Sequence, residues 1–337
     1  MSLDGEGVPP LAFVQLLNSE ALAPAAVTAF RTIMTREGTS ESLLVQHNLQ
    51  APLRWFREVY PDLDVASATT LGFTLAQQAQ LTSFGPLSLP LVSAGSVAEV
   101  VELLAYLPLI STALSPVIHP TDEGLTVGLS GHTNDKALDC FVVAYGGSIV
   151  LKLLDMLAGT MPSVTLHMNW PAPKILSGVA PDLPVARLVF SAPTSFLRIP
   201  ADALSEVCRF ADPVAYRLAI ADLEKTLDHR NDRASYSERI RRILEEDPGA
   251  GSGLLVAQTL NVSTSTLKRR LHEEGTTFRD LRESILREHA MLRILDRSMS
   301  ISQIASDLGY SDLTNFSHAF KRWTGHSPSD FRNGQGA

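Results

Sequence analysis

The chain has 337 residues, enough for two domains that each bury a core, and 45% of them are apolar, an ordinary share for a soluble globular protein. Two cysteines far apart, Cys140 and Cys208, exclude a disulfide scaffold and predict buried free thiols in a reducing cytoplasm. The net charge of −8 argues at first sight against a nucleic-acid partner.

The first sixty residues read as helical. Leu11 to Leu17 is apolar, and Pro24 to Arg36 and Ser42 to Tyr60 carry helical spacing. There is no basic segment followed by an apolar run, as a signal peptide would have, and no apolar stretch that spans a bilayer, so no membrane is expected. VAEVVELLAYL, Val97 to Leu107, predicts an amphipathic helix after a Ser-Ala-Gly-Ser turn. Leu114 to His119 and Leu125 to Gly131 flank Thr121-Asp122-Glu123-Gly124, a hairpin signal. Ala137 to Leu157 reads as a long apolar helix. Val164 to Trp170, Ala186 to Phe190 and Ser195 to Ile199 read as strands. This first part, residues 1–212, is predicted to be α+β. Pro213 to His229 is a further helix, and the polar run from Arg230 to Ser235 reads as a linker.

The last hundred residues contain a repeat. Ile301, Ile304 and Leu308 mark one helix, with small Ala305 where a second helix crosses. Gly309-Tyr310 breaks it, because glycine accepts the positive φ of a tight turn. Ser311-Asp312 can cap the next helix, whose inward face is Phe316, Ala319, Phe320 and Trp323. Gly325 ends that helix and Ser327-Pro328 starts a last short one. About fifty residues earlier, Val256-Ala257, Leu260-Asn261 and Ser263 match Ile304-Ala305, Leu308-Gly309 and Ser311. Leu267 and Leu271 match Phe316 and Phe320, and Gly275, Thr277, Leu281 and Arg282 match Gly325, Ser327, Phe331 and Arg332. The offset grows from 48 to 49 to 50 along the repeat. Two copies of one helix-turn-helix, joined by a helix from Phe278 to Asp296, give an all-α domain over residues 236–335.

Ile304-Ala305, Gly309-Tyr310, Phe316, Phe320-Lys321, Gly325, Ser327-Pro328 and Phe331-Arg332 together resemble the AraC/XylS family of bacterial transcription regulators. The first part resembles, more faintly, the arabinose-binding-like sensing domain of one branch of that family. The resemblance implies a sequence-specific regulator that binds double-stranded DNA and contacts RNA polymerase, more commonly as an activator. It also implies a part at 1–212 that senses a small molecule, forms a homodimer, or both. The alternative is a constitutive DNA-binding regulator whose first part only assembles subunits.

The acidic excess is confined to the first part, but the second part is not strongly basic, so DNA binding depends on local placement of charge, as in Lys268-Arg269-Arg270 and Lys321-Arg322. Tyr236 to Arg332 holds 14 Lys and Arg against 13 Asp and Glu, whereas Met1 to Ser235 holds 14 against 23. With Leu267 and Leu271 inward, Ser265, Lys268 and Arg269 fall on the exposed face of the first reading helix. With Phe316 and Phe320 inward, Leu313, Thr314, Ser317 and His318 fall outward on the second. Arg and Lys can hold guanine edges, and Thr and Leu can pack on a thymine methyl. Lys321 and Arg322 suit phosphate.

Other chemistry is not expected. Ala144-Tyr145-Gly146-Gly147-Ser148 lacks the frame of a serine elbow or a P-loop, so its glycines are read as allowing close packing or lining a cavity. His167, Asn169 and Trp170 lack a second ligand pair for a metal, and Cys140 lacks the flanking residues of an alkyl-transfer cysteine. No enzyme activity, cofactor or metal is predicted. An apolar pocket is expected between Val97–Leu107, Ala137–Leu157 and the strands near Val164 to Trp170. It suits an apolar or acidic effector, with Arg187, Lys174 or Arg198 as carboxylate partners.

Overall fold

The computed structural model describes residues 6–174, 185–231, 234–249 and 252–333. They divide into two compact units, Met1–Leu227 and Asp228–Ala337.

In the first unit, proline and short polar side chains set where the early helices begin. Strand β1 (Gly7–Val8) leads to α1 (Pro10–Leu17) and α2 (Pro24–Arg36), each with proline in its first turn. The Ser40 hydroxyl caps α3 (Glu41–Gln46) by accepting from the Leu43 amide. The single helix predicted for 42–60 is interrupted. Asn48 adopts a left-handed φ of 48°, and Ala51–Pro52 forms β2, antiparallel to β1, before α4 (Leu53–Val59). Pro52 explains the break, since proline removes a donor and disfavours helical geometry in the residue before it.

Helix α5 (Val65–Ala76) starts at Asp64, whose carboxylate accepts from the Ser67 amide at 2.7 Å. A 3-10 segment, Leu81–Leu87, runs into α6 (Ser88–Ser93). Helix α7 (Val97–Glu102), capped by Ser96, gives way to a second 3-10 segment, Leu103–Leu109, because Pro108 cannot continue an α-helix. Strands β3 (Leu114–Thr121) and β4 (Gly124–Gly131) form the predicted hairpin. Helix α8 (Lys136–Leu157) follows, then β5 (Thr165–His167), β6 (Leu188–Val189), β7 (Phe196–Pro200), α9 (Ala201–Leu204) and α10 (Pro213–Asn231). The sheet order is β3-β4-β7-β5-β6, antiparallel except for β5 with β6.

Helix α8 is long and apolar enough to cross a membrane, yet most of it is buried among the other elements of the unit. Its glycines account for how closely it is packed. A Cβ on Gly147 would lie 2.6 Å from Leu166 Cδ1 of the sheet, and one on Gly72 of α5 would lie 2.8 Å from the Phe141 carbonyl oxygen. Phe141 of α8 joins Phe13, Phe30, Trp55 and Phe56 in an aromatic cluster almost without solvent contact, with neighbouring ring centroids 5.0–5.9 Å apart. Cys140 and Cys208 are both buried free thiols, and burial pushes the Cys140 thiol up to about 12. Helix α10 packs Leu223 into this core, so most of it belongs to the first unit.

The second unit is helical throughout its described residues: α11 (Tyr236–Glu246), α12 (Gly253–Thr259), α13 (Thr264–Glu273), α14 (Phe278–Leu295), α15 (Ile301–Asp307), α16 (Leu313–Thr324) and α17 (Pro328–Asn333). Ser235, Ser252, Ser263, Thr277, Ser300 and Asp312 cap α11 to α16 in turn, each accepting an amide hydrogen from the first turn. Each such cap stabilises its helix by about 1 kcal/mol. Two separate cores hang from α14. Leu281 and Ile285 pack with Ile240, Leu244, Val256, Leu267 and Leu271, whereas Leu286, Ala290 and Ile294 pack with Ile304, Leu308, Phe316 and Phe320.

Candidate nucleic-acid interface and interior cavity

Each copy of the repeat builds a turn with one residue in the left-handed region. Asn261 has φ 53° and Gly309 has φ 76°. The caps that follow are Ser263 and Asp312, so the structural offset is already 49 at the start of the second helix, and Ser311 lies in the turn. The extra residue of the second copy therefore sits in its turn. Gly275 and Gly325 repeat the left-handed geometry where the two helices end.

In the first copy, Leu267 and Leu271 of α13 are buried, and Ser265, Lys268 and Arg269 are exposed. Arg269 is not free: its guanidinium donates to Glu273 at 2.7 Å, one helical turn away. Arg270 lies over the Tyr236 ring, 5.7 Å from its centroid. In the second copy, Phe316, Ala319 and Phe320 of α16 are buried, whereas Leu313, Thr314, His318, Lys321 and Arg322 are exposed. Ser317 is half-buried and turns less fully outward than its spacing suggests. Arg322 is tied to Glu283 of α14 at 3.1 Å. Among the described residues Lys268 and Lys321 have no ion pair, so their charges are available to an anion.

Sequence reasoning placed the basic residues but passed over their acidic partners, Glu273 and Glu283. The i,i+4 spacing of Arg269 and Glu273 carried the signal for one. The other joins residues about forty apart, and no local pattern announces it. Also unannounced, Arg332 donates to the carbonyls of Ile294 at 3.1 Å and Asp296 at 3.4 Å, closing the end of α14.

Two families match this chain. One, described as a helix-turn-helix domain, matches residues 256–334. The other, described as the N-terminal arabinose-binding domain of AraC transcription regulator, matches residues 28–207, more than half of the chain. The chain belongs to the AraC family. It is a DNA-binding transcription regulator with an arabinose-binding-like N-terminal domain.

Among AraC-family relatives, the HTH-type transcriptional regulator VqsM of Pseudomonas aeruginosa is 25% identical over 278 residues, covering 78% of this chain and 83% of VqsM. VirS of Mycobacterium tuberculosis is 34% identical over 126 residues, 36% of each chain. The crystal structure of the regulator CdpR from Pseudomonas aeruginosa aligns over 86% of this chain and 95% of its own, with 22% identity and a TM-score of 0.39. The relatives are described as regulators rather than enzymes.

The N-terminal domain of this AraC-family chain holds an apolar cavity of about 90 Å³. Val100, Leu103 and Leu107 form one wall, and Val142, Tyr145, Gly146 and Ile149 of α8 form another. The third wall differs from expectation. It comes from Phe84, Leu87, Leu91 and Leu114 rather than from the strands near 164–170. Adjacent residues on a helix point about 100° apart. Gly147 therefore meets Leu166 of the sheet, while Gly146 meets Leu114 and opens on the cavity.

None of the expected carboxylate partners reaches this cavity. Arg187 is buried against α8 and forms a two-pronged pair with Asp155, one arm at 3.0 Å. Arg198 is exposed on β7 and pairs with Glu123 of the hairpin, and Lys174 is exposed. An interior charge is matched by a nearby counter-charge, and for Arg187 that partner is Asp155.

Proposed function

We propose that α13 and α16 read two successive major-groove segments about one helical turn apart on one face of DNA. The observation that carries this reading is the duplicated capped helix with its hydrophobic face buried and a polar, partly basic face exposed. Ser265, Lys268, Arg269, Leu313, Thr314, Ser317 and His318 contact bases, while Lys321 and Arg322 hold phosphate. The protein acts in the cytoplasm, as an activator that engages RNA polymerase, under control of an effector bound by residues 1–212. The effector favours one functional state of the regulator over another. A sugar does not suit the cavity, whose walls carry too few polar groups to replace a sugar's hydrogen bonds to water.

Sequencing the genomic DNA that co-purifies with the full chain, with and without cell metabolites, tests this reading. Recovery of a recurrent two-part site is expected, and random fragments in both conditions would refute it.

A second reading, homodimer assembly through the N-terminal domain, is favoured by Val207, Phe210, Val214 and Leu218. These large apolar side chains are 56–71% exposed within one short stretch, and Val214 and Leu218 share a face of α10. Sedimentation of the parent and Leu218→Glu proteins separates the cases. A dimer lost in the variant supports assembly there, and identical monomers exclude it.

A further inference from the structure

Tyr145 is the exceptional residue of the cavity wall. Its side chain is only 6% exposed, and its ring stacks on Phe141 at 5.8 Å with an interplanar angle of 12°. Among the described residues nothing hydrogen-bonds to its hydroxyl. Burial raises the ionisation of this phenol well above its ordinary range, so the group is a neutral donor. Ser111, the other hydroxyl of the wall, is already used: it donates to the Gly7 carbonyl at 2.7 Å and accepts from the Ala113 amide. Among the side chains that border the cavity, Tyr145 thus carries the polar group left without a hydrogen bond to the described residues.

No Asp, Glu, Lys, Arg or His lines the cavity. A carboxylate or ammonium drawn into it would lose its hydration with no counter-charge in return. Size narrows the choice further. A cavity of about 90 Å³ is smaller than the engineered one of about 150 Å³ that accepts benzene. Nineteen residues border it, and apart from Ser111 and Tyr145 their side chains carry no polar group. A short aliphatic chain suits so small and apolar a space, and a fused ring system does not.

We infer that this cavity is the effector site, and that its ligand is an uncharged, chain-like molecule with one hydrogen-bond acceptor, such as a ketone, ester or lactone carbonyl, that receives the Tyr145 hydroxyl. The site deepens, and rests on, the reading of residues 1–212 as the sensing part. Gly146 keeps the cavity open. A Cβ there would lie 2.6 Å from Leu114 Cδ2, which also lines the cavity, so a methyl group at 146 forces that side chain to move within the wall.

Isothermal titration of the full chain with butan-2-one and with butanoate tests the inference, with thermal melting as a check of folding. The ketone is expected to bind and the carboxylate to bind at least roughly tenfold more weakly. Tyr145→Phe keeps the ring and its stacking but removes the donor, and is expected to weaken the ketone roughly fivefold. Gly146→Ala should melt no lower than the parent, since alanine favours a helix interior, and should lose ketone binding. Absence of ketone binding to the parent, equal binding of butanoate, or a Tyr145→Phe protein that binds the ketone as well as the parent would each overturn the assignment. DNA binding measured by fluorescence anisotropy on the ligand-free chain reports the regulator reading separately: its loss would refute that reading, while its retention beside failed ketone binding would refute only the ligand.

Discussion

The carboxylate of Glu283 accepts a hydrogen bond from the Trp323 indole at 2.8 Å and lies 3.1 Å from a guanidinium nitrogen of Arg322. One acidic side chain on α14 therefore both anchors the end of α16 and pairs with a charge proposed for phosphate. The two roles separate by substitution. Glu283→Ala is expected to destabilise the second unit by about 1–2 kcal/mol through the lost charged hydrogen bond. Glu283→Gln keeps an acceptor for Trp323 but releases Arg322. Its affinity for DNA of any sequence should rise, with a salt dependence steeper by about one phosphate contact. Salt titrations of both variants check this, and an unchanged slope in Glu283→Gln would show that Arg322 does not meet phosphate.

Arg269 and Lys268 differ in their readiness to bind. Arg269 must leave Glu273, whereas Lys268 has no ion pair to break among the described residues. Arg269→Ala and Lys268→Ala should each weaken operator binding by roughly 1–3 kcal/mol while sparing random DNA. Lys321→Ala should weaken both alike and flatten the salt dependence. Glu273→Ala should strengthen operator binding by removing the competitor. Competition binding against random duplex measures these ratios, and equal losses on operator and random DNA for Arg269→Ala would assign that residue to phosphate.

The two left-handed turn residues predict opposite responses. Gly309→Ala meets the cost of a side chain at φ 76°, about 1–2 kcal/mol, and its Cβ would also lie 2.7 Å from the Gly249 carbonyl oxygen. A loss of more than about 2 kcal/mol is expected in urea unfolding. Asn261→Gly relieves rather than creates strain and should be neutral within about 0.5 kcal/mol. Equal destabilisation by both changes would mean that the turns are not equivalent.

His167 makes the first unit sensitive to acid. It stacks on Phe196 at 4.2 Å, and burial, with the nearby Arg198 charge, lowers its pKa from 6.5 to about 4. The unfolded chain takes up a proton as pH falls past 6.5, while the folded chain does so only near pH 4. Stability is therefore full above about 6.5 and is lost progressively as pH falls from there towards 4. Melting temperatures at pH 7 and pH 5 should differ less in His167→Gln than in the parent. An identical difference in the two proteins would place the acid sensitivity elsewhere.

Legibility followed the punctuation of the chain. Gly309, Gly325, Pro328 and the apolar residues between them fix both the boundaries and the inward face of α16, so the exposed face proposed to read DNA was visible in the sequence. The stretch from 61 to 96 was not. VASATTLGFTLA, which forms α5, mixes alanine and leucine with a glycine and four β-branched residues, three of them threonine, and it is stabilised by its packing on α8. Pro86 and Pro90 similarly suggest loop, yet they lie in the 3-10 segment and α6. Phe84, Leu87 and Leu91 from that stretch supply the cavity wall that no local pattern assigned. A hollow is a relation among distant segments, and its chemistry becomes readable only once they meet.

Ile285 and Leu286 are adjacent on α14, yet each belongs to a different core. The helix thus has no spare residue at the crossing. One inserted there would rotate everything beyond it by about 100° and carry one core's side chains out of register with their partners. Divergence in length between the two halves has to be absorbed elsewhere, and it is: the added residues lie in the turn before Asp312 and towards the end of α16. An extra residue is therefore tolerable in the turn or at the end of a reading helix, but not at the crossing of α14.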